Sequence, residues 1–108
     1  LSPKDVNIHI AYLALAMAAF IENDAVAFED WAGKAIQASP NAPTRRAMMI
    51  AYAAEAGNQA LLKTHRSALM QSSPDFIASL FRGENRLFAK DEHMELLLDG
   101  LRKAGFSA

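Results

Sequence analysis

The sequence predicts an all-α fold of antiparallel helix hairpins, and three observations carry that expectation. Ser39-Pro40 and Ser73-Pro74 stand 34 residues apart (74 − 40), each closing a helix–turn–helix pattern. Apolar residues recur at i, i+3, i+4, i+7 and i+8, as in Phe28, Trp31, Ala32, Ala35 and Ile36. No stretch with the two-residue alternation of a strand is found. A hairpin of this length cannot bury its apolar face alone, so such units stack and offer a surface to another molecule.

Each element has its own local signals. A first helix is expected from Asp5 to Ile21, broken at Asn23 or Asp24, one of which caps the second helix. The second carries the Phe28–Ile36 stripe, with Glu29, Asp30, Lys34 and Gln37 on its polar side. Ser39-Pro40-Asn41-Ala42-Pro43 makes a rigid connection, because a residue before proline is pushed out of the α region. A third helix follows from Thr44 to Ala56, with Gly57 suited to a left-handed position and Asn58 to capping the fourth helix. The fourth ends near Ser72. Ser73 and Pro74 fit the cap and first turn of a fifth helix, interrupted at Arg82-Gly83-Glu84-Asn85. Asp91 is expected to cap a last helix carrying Met94, Leu97, Leu98 and Leu101 and ending at Gly105. The whole of 1–108 thus reads as one helical domain: two degenerate repeats, 5–38 and 43–72, followed by helices over 73–82 and 91–104.

Composition narrows the function classes. The formal net charge is −1, with no basic stripe to neutralise phosphates, which argues against direct nucleic-acid binding. The absence of cysteine removes disulfides and thiolate metal sites and suits a cytoplasmic location. The longest apolar run, from Val6 to Ile21, falls short of the roughly 20 residues that span a bilayer, so a buried helix rather than a membrane segment is expected. The opening Leu1-Ser2-Pro3 reads as the close of an earlier repeat, and the chain as a piece of a longer protein.

Aligned on the two prolines, Asn23 and Gly57 fall at the turn between helices, Ala35 and Leu69 late in the second helix, and Ala16 at a small position of the first. Ile50 and Arg66 depart from that pattern. With the 34-residue period, these positions resemble degenerate tetratricopeptide (TPR) repeats, whose hairpins stack in a right-handed superhelix. The ending Leu97-Leu98-Asp99-Gly100-Leu101-Arg102-Lys103-Ala104-Gly105-Phe106 is similar to that of bacterial multidomain proteins that finish in such repeats. In one group the repeats follow a class III adenylate/guanylate cyclase domain, and in another a winged-helix DNA-binding domain of the response-regulator type.

That resemblance implies a protein-interaction or regulatory tail, first of a cyclase in cyclic-nucleotide signalling and alternatively of a winged-helix regulator. It also implies a groove lined by the first helix of each hairpin: Ile10, Leu13, Met17 and Phe20, then Thr44, Ala47, Ala51 and Ala54. The Lys and Asn clamp of chaperone-binding members has no counterpart at these apolar or small positions.

The residues themselves show no constellation for chemistry. His9, His65 and His93 have no metal-ligand spacing, and no His-Glu-x-x-His run occurs. The acidic residues Asp24, Glu29, Asp30, Asp91, Glu92, Glu95 and Asp99 fall on polar faces or caps, and the glycines are scattered, with Gly100 and Gly105 assigned to one helix end. No cofactor and no catalysis are expected of this chain. Trp31 is expected to be mostly buried where the second helix meets the third. The first helix is apolar all round, so one of its faces needs a protein partner, in the simplest case a second copy in a homodimer.

Overall fold

Two turns of identical build organise the chain. At the first, Asn23 adopts a left-handed conformation (φ 58°) and the Asp24 amide donates back to the Ala19 carbonyl at 3.0 Å. At the second, Gly57 takes the same conformation (φ 72°) and the Asn58 amide donates to Ala53 at 2.9 Å. These bonds satisfy carbonyls that the ending helices leave open. Asp24 and Asn58 then accept from the amides of Ala27 and Leu61 at 3.2 and 3.1 Å, starting the next helix.

The computed structural model describes residues 3–107, with side chains from Ile8 onward. Six helices follow in order: α1 (Pro3–Glu22), α2 (Ala25–Ala38), α3 (Pro43–Ala56), α4 (Gln59–Ser72), α5 (Phe76–Phe81) and α6 (Asp91–Lys103). No strand occurs among the described residues, so the fold is all-helical as expected. The Leu1-Ser2 opening lies outside the described residues.

The 34-residue period is visible in the backbone. Helices α2 and α4 both have 14 residues and are displaced by 34 (59 − 25). Both end at a serine, Ser39 or Ser73, with φ −147° and its amide donating to the carbonyl of Ala35 or Leu69. Equivalent positions hold equivalent places in the core: Phe28 and Leu62 are buried, as are Ala35 and Leu69. At another such pair the chemistry differs. Tyr12 stacks on Trp31 (centroids 5.9 Å apart), whereas Arg46, 34 residues after Tyr12, hydrogen-bonds His65 at 2.9 Å.

The period does not extend into a third equal hairpin. Helix α5 has six residues, and α6 returns to pack on α3. Contact there is at backbone distance. A Cβ on Gly100 would stand 2.6 Å from the Ala51 Cβ, 2.9 Å from its Cα and 3.0 Å from its carbonyl oxygen. Gly100 lies in the last turn of α6, as expected, and also belongs to its buried face, with Met94, Leu97 and Leu101. Phe28, Met48, Ile50, Leu69, Ile77, Leu80, Leu97 and Leu101 are the large, fully enclosed side chains. The radius of gyration, 13.0 Å, is that of a compact chain of this length.

Three local expectations are corrected. Ser73 closes α4, its amide donating to Leu69, and does not cap α5, which begins three residues later. Pro74 and Asp75 form a turn before α5 starts at Phe76. Lys90, not Asp91, is the residue before α6, while Asp91 and Glu92 occupy the first turn, where the helix dipole favours negative charge. Trp31 is half-buried against Tyr12 of α1 instead of enclosed against α3, with the Lys34 ammonium 4.8 Å from its ring centre.

Candidate interaction surface

The expected groove is largely filled by the chain itself. Ala47 and Ala51 are fully buried, Ala51 directly beneath Gly100, so neither offers a surface. Thr44 and Ala54 are half-buried. Leu13, Met17 and Phe20 are half-buried against the core, and the Phe20 ring lies 5.6 Å from Phe28 and 5.8 Å from Phe88, which the segment before α6 brings in. Ile10 points outward at 53% exposure. The structure thus brings Leu13, Met17 and Phe20 together on one face, sets Ile10 apart and hides the alanines of α3.

Two surfaces stand out among the described residues. The first is the outer face of α1, where Ile8, Ile10 and Leu15 are exposed among Ala11, Ala14 and Ala18. Adding 34 to Ala11, Ala14, Leu15 and Ala18 gives Arg45, Met48, Met49 and Tyr52, the α3 face of which the first three are buried and the last half-buried. What is covered in the second hairpin is open in the first.

The second surface is a cavity of about 360 Å³ where the C-terminal end of α1, the start of α2, the end of α3 and the side of α6 meet. Ala19, Phe20, Phe28 and Leu96 supply apolar wall, and Asn23, Asp24, Tyr52 and Glu55 supply polar rim. The Tyr52 hydroxyl donates to Glu29 at 2.5 Å, and this bond to a carboxylate pushes the phenol up to about 12. Lys103 of α6 reaches both Glu55 oxygens at 2.8 Å, tying α6 to the rim. Sequence reasoning missed this site because it is built from the ends of four segments. Its one readable signal is Leu96, a large apolar residue off the buried stripe of α6 and 46% exposed.

The histidines have structural partners. The Arg45 guanidinium lies 3.0 Å from His9 Nδ1, and that of Arg46 lies 2.9 Å from His65 Nδ1. An arginine can only donate, so each Nδ1 accepts and each ring carries its proton on Nε2. Burial, with Arg46 opposite, holds His65 below the usual histidine range. Arg45 is 5% exposed and its Nε has no partner among the described residues; burial draws its pKa down. The His93 ring meets Phe88 edge-on at 6.0 Å. Among the described residues no three His, Asp or Glu side chains converge as metal ligands, and no helix is long and apolar enough to cross a membrane.

No family model, curated protein or solved structure matches this chain.

Proposed function

We propose that this chain is a non-catalytic protein-interaction module of the TPR type, with two hairpins in the right-handed arrangement of such arrays. The supporting observation is the 34-residue equivalence of the hairpins, together with the face of α1 that this equivalence leaves uncovered. The α3 counterpart of that face, Arg45, Met48, Met49 and Tyr52, is largely packed inside the molecule, so the apolar α1 face fits another helical element. For the chain by itself that element is a second copy, giving a dimer with α1 faces in contact.

Sedimentation velocity at micromolar concentration tests this. A dimer that becomes monomeric on Leu15→Glu, with helicity retained, is the expected result; Leu15 is 43% exposed, so the folded monomer tolerates the change. A wild-type monomer refutes the self-association. ATP turnover by the purified chain would refute the non-catalytic reading.

The resemblance of the Leu97–Phe106 ending supports the regulatory tail of a cytoplasmic class III cyclase as the setting. The same ending supports a winged-helix regulator as the second reading. Sequence adjoining the module in its gene distinguishes the two: a cyclase brings metal-binding aspartates in an α/β domain, a regulator a compact basic winged helix.

A further inference from the structure

The cavity between α1, α2, α3 and α6 combines an apolar interior with carboxylates on its rim. Phe20, Phe28, Ala19 and Leu96 form walls around about 360 Å³, enough volume for a single large side chain. Asp24 and Glu55 stand on the rim itself. A further carboxylate, that of Glu29, is bound to the rim residue Tyr52. The lining residues include no Lys or Arg. Lys103, the cation tied to this rim, is held by Glu55, which leaves Asp24 and Glu29 uncompensated by it.

We propose that this cavity is a docking site for a basic peptide segment of a partner protein, which inserts one large apolar side chain flanked by lysines or arginines. The apolar anchor packs against Phe20 and Leu96, and the flanking cations meet the carboxylate rim. Neither half suffices alone. A purely apolar ligand would leave the rim charges unanswered, and a purely basic one would hold only screened, exposed charges. Asp24 serves both the fold and the site, because one of its oxygens caps α2 while its charge faces the cavity mouth. This site is separate from the outer face of α1 and stands whether or not the chain dimerises.

The probes are three capped peptides: lysines flanking one phenylalanine, the same lysines around alanine, and glutamates around phenylalanine. Backbone amide chemical shifts of the labelled chain are followed on titration. Saturable shifts from the Lys–Phe peptide alone, centred on Asn23, Phe28, Glu55 and Leu96, are the expected result. Asp24→Asn keeps the cap, as Asn58 does at the equivalent turn, and is expected to weaken binding about three- to tenfold while leaving the melt unchanged. Leu96→Lys, on the exposed rim, should abolish it. The proposal is overturned if the Lys–Phe peptide gives no saturable shift or shifts centred on Ile8 and Leu15. It is equally overturned if the glutamate peptide binds as tightly, or if a folded Leu96→Lys variant binds like wild type. Should Leu96→Lys fail to fold, the shift map and Asp24→Asn decide.

Discussion

Gly100→Ala tests the α3–α6 packing directly, and its sign follows from two opposed terms. Alanine in a helix interior is favoured over glycine by about 1 kcal/mol. Against this, the new methyl group would lie 2.6 Å from the Ala51 Cβ, 2.9 Å from its Cα and 3.0 Å from its carbonyl oxygen. Two of those atoms are backbone and the third is attached to it, so no side chain can rotate away. Helices α3 and α6 must separate by roughly 1 Å, which loosens Leu97 and Leu101 along the same seam; overpacking of this kind costs about 1–3 kcal/mol, and the rigidity here places it at the upper end. The net is a loss of about 1–2 kcal/mol, a fall of roughly 5–15 °C in melting temperature for a domain of this size. Gly33→Ala is the matched control. It lies inside α2 with nothing within 4 Å of the added Cβ, and should gain about 0.5–1 kcal/mol. Thermal and urea melts followed by circular dichroism measure both variants. Ala51→Gly, which removes one of the clashing carbons, should partly rescue Gly100→Ala in a double-mutant cycle. If Gly100→Ala stabilises the chain as Gly33→Ala does, α6 does not lie on α3 as described.

Two pH effects follow from named contacts. Burial and Arg46 hold the folded-state pKa of His65 below its usual value of about 6.5, so both states are neutral above that pH and stability falls as pH drops through and below it. A plot of melting temperature against pH should show this acid slope in wild type and a shallower one in His65→Gln. Glu29 raises the Tyr52 phenol to about 12, so its contribution is complete below pH 10 and lost as pH climbs from 10 toward 12. Ultraviolet titration should find the Tyr52 phenol ionising late, and Glu29→Gln should bring it back toward 10.

The features legible in the sequence are those whose cause is local. Asn23 and Gly57 end helices because their own backbones reach the left-handed region, Asp24 and Asn58 cap because their side chains are short acceptors, and Ser39 and Ser73 close helices before prolines. Each of these acts within a few residues, so a linear reading finds it. The path of α6 is different. Glycine reads as a stop when the only information is propensity, yet Gly100 is where two helix backbones touch, a fact that depends on Ala51 nearly fifty positions earlier (100 − 51 = 49). The same gap explains the site: Ala47 and Ala51 belong to a groove only while nothing lies over α3, and the cavity that replaces it needs α1, α2, α3 and α6 at once.

The two hairpins also show why the repeat is recognisable by period more than by consensus. Positions that dictate backbone geometry hold similar residues: Ser-Pro at the close, Asp or Asn at the cap, Asn or Gly at the turn. Positions that only fill the space between helices are exchangeable. Tyr12 on Trp31 and Arg46 on His65 join corresponding helices at corresponding places, one by ring stacking and the other by a hydrogen bond. Both arrangements are made between half-buried side chains. They do not tolerate the same conditions: an Arg–His contact weakens when the imidazole gains a proton, and a Tyr–Trp stack has no such dependence below the tyrosine pKa. The equivalent seams of the two hairpins should therefore part at different pH, with α3–α4 loosening first in acid.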